Sequence, residues 1–319
     1  METRNFGRLG RISALTLGGG GIGGVWGSTD RAEAVATVHA ALDAGITMLD
    51  LAPSYGSDFE SERAAGAALR DRPGSDVMIT SKVQLPDGRF GDVPGQIRAS
   101  LRNSLDLLGR EHLDLYLLHT QLRPRDGSPA PDDIISWEVY RDEVIGEFVR
   151  LRDEGLIRAW GITAVGHPSP VTEALRETPR PDAAQVVVNA LDLNGDMWVY
   201  GDRARPDNDE ILRVANAHEV PVIGIRAVAA GSLTDALDRA LDPRHPAAAD
   251  FVRAEPFRKL AAEFGESAAS LAHRYALSVP GVATVVLGVK NRAELAECVA
   301  AEARGPLTAD ELRAVAALR

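Results

Sequence analysis

The sequence MLDLAPSYG, residues 48–56, has the pattern of a buried strand that ends in a loop. The apolar residues on either side of Asp50 are typical of a strand covered on both faces. Asp50 interrupts this apolar run, and a carboxylate is rarely buried without a partner. Pro53 and Gly56 then turn the chain into a loop that contains Tyr55. An acid at a strand end and a tyrosine in the next loop indicate a catalytic arrangement, provided that partners for both lie elsewhere in the chain.

Segments of the same kind alternate with helical segments along the chain. Helical spacing is clearest at residues 93–108, where apolar residues recur at three- and four-residue steps. The other predicted helices are residues 32–43, 60–69, 144–154, 171–177, 211–217, 268–278 and 292–303. The other predicted strands are residues 14–17, 77–82, 113–118, 159–162, 184–188, 221–225 and 283–287.

Eight strand–helix units in succession favour a parallel sheet that closes into a single (β/α)8 barrel, the TIM-barrel fold. A doubly wound open sheet is the alternative. Residues 6–13 are predicted to form a hairpin that closes the bottom of the barrel. No low-complexity linker divides the chain, so residues 1–319 are interpreted as one domain.

The composition excludes several functional classes. The net charge of −11 argues against surfaces that bind nucleic acid or anionic membranes, because both need a basic patch. The one cysteine, Cys298, excludes an internal disulfide and a cysteine-rich metal site. No apolar run has the length of a membrane span, and no apolar signal-peptide core follows the arginines near the start. We therefore expect a soluble cytoplasmic protein without nucleic-acid or membrane partners.

Four polar side chains lie at or just beyond the ends of three successive predicted strands: Asp50, Tyr55, Lys82 and His119. Active sites of (β/α)8 barrels are built at this end. Each residue alone is more often structural, but together they are chemically coherent. A lysine ammonium lowers the pKa of a neighbouring phenol from its ordinary value of about 10, and a buried aspartate holds the lysine charged. His119 could hydrogen-bond a carbonyl oxygen on which charge develops. The set can move a proton to or from an oxygen, but it supplies no hydride.

Three connections between a strand and the following helix are long: residues 120–142, 189–208 and 226–250. In a barrel such loops surround the active site. Each aromatic residue in them could simply pack its own loop, but as a set on one face they are interpreted as the wall of a substrate pocket. These residues are Trp137, Tyr140, Trp198 and Tyr200.

The chain resembles the aldo-keto reductase superfamily over nearly its whole length. The matching segments are ALDAGITMLD, APSYG, ITSKV, LDLYLLH, GLIRAWGIT, AAQVVVN and VVLGVKNRAELAE, together with Leu17-Gly18 and the glycines that follow. The resemblance implies hydride transfer between a nicotinamide cofactor and a small aldehyde, ketone or alcohol. It also implies that Asp50, Tyr55, Lys82 and His119 form a catalytic tetrad with Tyr55 as general acid or base.

The resemblance further implies how the cofactor binds. No G-x-G-x-x-G motif opens a helix within a βαβ unit, so the glycines of residues 18–24 are interpreted as letting the first loop approach the cofactor. Gln185 would hydrogen-bond the carboxamide, and Lys290 would meet the 2′-phosphate of NADP(H), which is therefore the favoured cofactor. Glu294 would oppose a phosphate there, which makes NAD(H) the alternative. The implied cofactor residues are Gly20, Gly21, Asp50, Thr163, Gln185, Arg226, Gly288, Lys290, Glu294 and Glu297.

Two departures from the family pattern concern the nicotinamide. Ala164 stands where an asparagine is usual, and Ile225-Arg226 stands where many members have Tyr-Ser. Arg226 could reach the pyrophosphate or stack on the nicotinamide instead. Together with GGVWG at residues 23–27, this pairing is more similar to the sugar-dehydrogenase branch, in which NAD is also used. The residues expected to meet the substrate are Trp26, Tyr55, His119, Trp137 and Trp198.

Two other functions are weighed against this interpretation. The β-subunits of potassium channels also resemble the chain, at RAWGIT (residues 158–163), and such a redox-sensing subunit would keep the tetrad. A metal-dependent hydrolase or lyase needs clustered ligands at strand ends, but only His119 and His167 follow strands on that face. No metal is therefore expected, and the oligomeric state stays open.

Overall fold

The computed structural model describes residues 1–85, 91–127, 130–201, 204–237, 239 and 242–319. Parts of the three long connections, namely residues 128–129, 202–203, 238 and 240–241, lie outside this set. The strands of the first, antiparallel sheet are β1 (Thr3–Asn5) and β2 (Arg11–Ser13). The barrel strands are β3 (Leu15–Gly18), β4 (Met48–Asp50), β5 (Met78–Val83), β6 (Leu113–Leu118), β7 (Ile157–Thr163), β8 (Ala183–Val187), β9 (Val222–Ile225) and β10 (Val282–Leu287).

The eight strands from β3 to β10 are parallel and close into a barrel in which β10 pairs with both β3 and β9. The predicted (β/α)8 barrel is confirmed, and the open sheet is excluded. In-register pairing of Asp50 with Thr80 and of Lys82 with Leu117 brings the ends of β4, β5 and β6 to neighbouring levels. Side chains at the carboxyl ends of these strands therefore meet at one mouth of the barrel.

Helices surround the barrel. Several begin at an Asp or Asn side chain that accepts a hydrogen bond from the backbone N–H three residues on, which satisfies one of the free donors of the first turn. The helices are α1 (Gly19–Ile22), α2 (Arg31–Asp43), α3 (Glu60–Asp71), α4 (Val93–Leu108), α5 (Ile145–Asp153), α6 (Pro168–Arg176), α7 (Asn208–Ala217), α8 (Pro246–Arg253), α9 (Glu255–Glu263), α10 (Ala268–Ser278), α11 (Arg292–Ala303) and α12 (Ala309–Ala316).

Four helices were not predicted: α1, α8, α9 and α12. Helix α1 is a single turn made mostly of glycine, whose helix propensity is low. Helix α8 lies at the end of a connection that the sequence places in a loop, and it begins with Pro246 after His245, whose ring accepts from the Ala247 N–H. The N-terminal hairpin begins at residue 3, so that residues 6–10 form its turn.

The hairpin packs into the bottom of the barrel. Phe6, Leu9 and Ile12 form one buried cluster with residues of the barrel interior, among them Met48 and Leu117. Burial of a phenylalanine or leucine side chain stabilises a fold by about 1.5–3 kcal/mol. The hairpin therefore closes the end of the barrel opposite the mouth, as predicted.

Across the residues that the structure describes, no helix is long and apolar enough to cross a bilayer.

Candidate active site

Three neighbouring strands place the predicted tetrad around one point at the mouth. Asp50 is the last residue of β4, Lys82 is the penultimate residue of β5, and His119 follows β6 directly. Tyr55 lies in the loop between β4 and α3. The backbone N–H of His119 donates to the Val83 carbonyl oxygen at 2.7 Å, which ties the ends of β5 and β6 together. The structure thus brings all four side chains into one site.

Lys82 and Asp50 form a buried ion pair. The Nζ atom of Lys82 lies 2.9 Å from Oδ1 of Asp50 and donates to the Leu51 carbonyl oxygen at 2.8 Å. The two side chains are 0% and 2% exposed, so water cannot replace either partner. Burial disfavours the ammonium, but attraction to Asp50 and Tyr55 outweighs it and raises the pKa of Lys82. Lys82 is therefore a fixed positive charge at neutral pH.

Tyr55 lies against this charge. Its ring centroid is 4.6 Å from Nζ of Lys82 and 5.7 Å from the centroid of the His119 ring, to which it is nearly perpendicular. Burial raises the pKa of the Tyr55 phenol, and Lys82 opposes this effect by attraction and a hydrogen bond. Lys82 acts in the predicted direction, but burial prevails and the net shift is upward. Tyr55 is therefore a protonated phenol at neutral pH, with a proton to donate.

His119 is neutral as well. Burial and the neighbouring Lys82 charge lower the pKa of the imidazole to about 3. A neutral imidazole can donate one hydrogen bond without adding a second positive charge to the site. This state suits the predicted role of His119, which is to hold a carbonyl oxygen near the phenol.

Gln185 joins the tetrad from the far side of the barrel. Its Nε2 donates to Oδ1 of Asp50 at 2.7 Å, and its side chain is buried. This bond uses one N–H of Nε2, so Gln185 retains Oε1 and a second N–H with which it could meet a cofactor carboxamide. Thr163, on the neighbouring strand, donates its hydroxyl to the Leu118 carbonyl oxygen at 3.1 Å. Ala164 has no polar side-chain atom to add.

Close backbone contacts explain the glycine-rich first loop. A Cβ on Gly21 would lie 2.0 Å from the Val289 carbonyl oxygen, and one on Gly23 would lie 2.5 Å from that of Tyr55. A Cβ on Gly56 would lie 2.2 Å from the Gly23 carbonyl oxygen. Only glycine permits such approaches. These contacts hold the first loop against the Tyr55 loop and the end of β10.

Trp26 lies with two of the predicted cofactor residues. A Cβ on Gly20 would come within 2.7 Å of Nε1 of Trp26, and one on Gly288 within 3.4 Å of the indole. The Arg239 guanidinium carbon lies 5.6 Å from the Trp26 ring. The structure therefore groups Trp26 with Gly20 and Gly288, between the first and last barrel strands.

The predicted phosphate residue Lys290 is engaged by Glu294. Its Nζ lies 2.9 Å from Oε1 of Glu294, and its backbone N–H donates to Oε2 at 2.9 Å. Asn291 begins α11 and accepts from the Glu294 N–H. Glu297, another of the predicted cofactor residues, accepts a hydrogen bond from the Ser267 hydroxyl. The Lys290–Glu294 pair weakens the argument for NADP(H) that Lys290 alone provides.

Arg226 follows β9 and is buried beside an acid that sequence reasoning missed. Its side chain is 8% exposed, and its Nη2 lies 3.1 Å from Oδ1 of Asp196. Asp196 belongs to the long connection after β8, and no spacing in the sequence relates it to Arg226. The buried guanidinium is a group that could hold the phosphates of a dinucleotide.

A second missed acid, Glu62, lies behind Lys82. Its carboxylate accepts a hydrogen bond from the Ser81 hydroxyl at 2.6 Å, and burial raises its pKa. Glu62 lies on the apolar face of α3 next to buried alanines, and an acid at such a position is the signal that could have revealed it.

The loop aromatics divide into two groups. Trp137 and Tyr140 are 2% and 1% exposed and pack into the main hydrophobic cluster. The structure therefore places both rings in the hydrophobic core instead of on a pocket wall, because the connection after β6 directs these two side chains inward. Trp198 is partly exposed and donates to the Gly201 carbonyl oxygen, and Tyr200 is buried beside it.

Within the described ranges, no three His, Cys, Asp or Glu side chains gather as a metal ion would require. His167 instead caps α6 by accepting from the Ser169 N–H.

Comparison with known proteins gives the same assignment as the site. The sequence profile of the Aldo/keto reductase family matches residues 14–319. An uncharacterized oxidoreductase of Bacillus subtilis, YqkF, is 26% identical over 95% of this chain and 93% of its own length. L-galactose dehydrogenase of Arabidopsis thaliana is 27% identical over 94% of this chain and 88% of its own length. The solved structure of the glycerol dehydrogenase AKR11B4 from Gluconobacter oxydans superimposes with a TM-score of 0.71 at 25% identity, covering 99% of this chain and 94% of that one. The chain belongs to the aldo/keto reductase family, whose members are generally NAD(P)H-dependent carbonyl oxidoreductases.

Proposed function

We propose that this protein interconverts a small aldehyde or ketone and the corresponding alcohol, with Tyr55 as the proton donor and acceptor. The observation that carries the proposal is the buried Asp50–Lys82 ion pair, whose ammonium lies 4.6 Å from the Tyr55 ring centroid. A fixed charge at this place stabilises the phenolate that forms when Tyr55 gives up its proton.

The side chains divide the chemistry among them. His119 donates a hydrogen bond to the substrate oxygen and holds it near the phenol. Tyr55 transfers its proton to that oxygen in carbonyl reduction and takes one back in alcohol oxidation. Lys82 stabilises the phenolate state, and Asp50 keeps Lys82 charged and in place. A nicotinamide held at this mouth would supply the hydride in one direction and accept it in the other.

The cofactor would be held by groups around the mouth. Gln185 and Thr163 are the residues proposed to meet the carboxamide. Gly20, Gly21 and Gly288 are proposed to meet the ribose and phosphates, while Arg226, Lys290, Glu294 and Glu297 are proposed to meet the phosphates and the adenosine. Trp26 and Trp198 are the aromatic residues proposed to flank the substrate entrance.

For the cofactor choice, we propose that NAD(H) binds at least as well as NADP(H). A 2′-phosphate would have to share the Lys290 ammonium with a carboxylate, because Glu294 already pairs with Lys290. For the substrate, the names of two relatives, L-galactose dehydrogenase and glycerol dehydrogenase, support a sugar or polyol and its carbonyl form.

The test compares wild type with Tyr55→Phe. Consumption of NADH and of NADPH is followed with an aldose panel, glycerol-derived aldehydes and an aromatic aldehyde. We expect turnover that falls at least about 100-fold in Tyr55→Phe, while cofactor affinity changes by less than about threefold. Unchanged turnover in the variant would overturn the role of Tyr55. Tight cofactor binding without turnover on any substrate would instead favour a redox-sensing subunit.

A further inference from the structure

Arg226 has hydrogen-bonding capacity that its surroundings leave unused. Its side chain is 8% exposed, and its Nε is buried without a hydrogen-bond partner in the described part of the chain. Nη2 meets Oδ1 of Asp196 at 3.1 Å. A guanidinium carries five N–H donors in a planar fork that matches the oxygens of a phosphate or carboxylate. A buried donor without a partner is unfavourable, so an oxyanion that reached Arg226 would bind there.

The position of Arg226 suits a ligand at the mouth. Ile225, the last residue of β9, pairs with Val187 of β8, and Gly224 pairs with Val285 of β10. Arg226 therefore lies within about one residue of the level of Gly288, which directly follows the neighbouring strand β10. Its φ is +58°, a left-handed conformation that a non-glycine residue keeps only where the surrounding structure holds it.

Asp196 is a counter-ion of Arg226 whose carboxylate can move away from the guanidinium. Its side chain is 49% exposed, whereas that of Arg226 is 8% exposed, so the carboxylate can turn into water while the guanidinium cannot. Gly195 has a φ of +57°, and a Cβ on it would lie 2.6 Å from Nη2 of Arg226, so this glycine lies directly against the guanidinium. Among the residues that the structure describes, Asp250 on α8 and Arg239 are the other charged groups near Arg226.

We propose that Arg226 is an oxyanion receptor whose resident counter-ion, Asp196, is displaced by a phosphate or carboxylate group of a ligand. The exchange replaces one ion pair by another and gives the free Nε an acceptor. The inference rests on the proposed function in that the pyrophosphate of a dinucleotide is one source of the anion. An anionic group on the substrate is the other source.

The first experiment measures binding without turnover. Calorimetry with inorganic pyrophosphate and with NADH is run on wild type, Arg226→Gln and Asp196→Asn. We expect Arg226→Gln to weaken binding at least about tenfold and Asp196→Asn to tighten it about threefold to tenfold, because the competing carboxylate is gone. Arg244→Gln and Asp242→Asn are matched controls, since they remove the same charges from an exposed pair in the same connection, and they should change binding less than about twofold.

The second experiment separates the two sources. If the anion belongs to the substrate, NADH affinity stays constant in both variants. The ratio of the KM for glyoxylate to the KM for the neutral glycolaldehyde then rises in Arg226→Gln and falls in Asp196→Asn.

Should neither binding nor this KM ratio respond, or should Asp196→Asn weaken binding, the proposal is wrong. If Arg226→Gln does not fold, Asp196→Asn still decides the question. A pyrophosphate response without turnover on any substrate would retain the receptor and reject the proposed function.

Discussion

At the scale of single residues, the site combines one buried ion pair with two neutral rings. Lys82 is held charged by Asp50, Tyr55 is held protonated by burial, and His119 is held neutral by burial and by Lys82. These states are complementary, because a proton donor beside a fixed cation can lose its proton without creating an isolated charge. These states agree with the role proposed for Tyr55, in which the phenol gives its proton to a substrate oxygen while Lys82 stabilises the phenolate.

His119 should not titrate in the neutral range. Its pKa is lowered to about 3, so the folded protein binds no proton there between pH 7 and pH 4. The unfolded chain does bind one below its ordinary pKa of about 6.5, so falling pH removes about 1.4 kcal/mol of stability per pH unit below that value through this residue. Nitrogen NMR of the histidine rings, with His119→Gln to assign the signal, should show no change for His119 between pH 8 and pH 5. A midpoint near pH 6.5 would contradict the buried, neutral imidazole.

Glu294 should control which cofactor binds. Replacing it by glutamine keeps an acceptor for the Lys290 N–H but removes the negative charge 2.9 Å from Nζ. We expect the Kd for NADPH to fall about threefold to tenfold, while that for NADH changes less than about twofold. Asp310→Asn, which removes one charge from an exposed pair on α12, is the control. If the Kd values for NADPH and NADH changed equally, the 2′-phosphate of NADPH would not bind near Lys290 and Glu294.

At the scale of elements, the position of Tyr55 depends on two loops that touch through glycine. Gly23 and Gly56 approach so closely that neither tolerates a Cβ, and Gly56 has a φ of +87°. Tyr55 immediately precedes Gly56, so the contact between the loops after β3 and β4 sets where the phenol lies. The ion pair below it is held by strands, whereas the phenol is held by this loop contact.

Gly56→Ala should therefore reduce activity by more than its loss of stability alone would cause. Gly74→Ala is a matched control, because Gly74 also has a φ of +87° but a Cβ there meets nothing within 4 Å. The control should lose about 1 kcal/mol of stability through its backbone conformation and keep its turnover. Gly56→Ala should lower kcat at least about tenfold at a temperature where both variants are folded. Equal activity in the two variants would show that the loop contact does not position Tyr55.

At the scale of the whole molecule, the sequence predicts those helices and strands whose buried residues recur at a regular spacing. Helices α4, α10 and α11 match their predicted residues, because regular apolar spacing and side-chain caps mark their ends. The tetrad could be predicted because each member lies at or just after a strand end, where the barrel brings them together. The Arg226–Asp196 pair could not be predicted, because it forms where two irregular connections meet. Irregular loops have no repeating apolar spacing from which their contacts could be inferred. The inward packing of Trp137 and Tyr140 was missed for the same reason.

The hairpin at the bottom should stabilise the barrel without taking part in its chemistry. Phe6 is 1% exposed and packs with residues of the barrel interior such as Leu115, at the end opposite the tetrad. Phe6→Ala should lower the free energy of unfolding by about 3–5 kcal/mol, because it removes a large buried ring and leaves a cavity. Denaturant unfolding measures this loss, and kcat/KM at 25 °C should stay within about twofold of wild type. Arg8→Ala, in the same turn but 46% exposed, should cost less than about 1 kcal/mol. A loss of activity in Phe6→Ala at unchanged stability would mean that the two ends of the barrel are coupled.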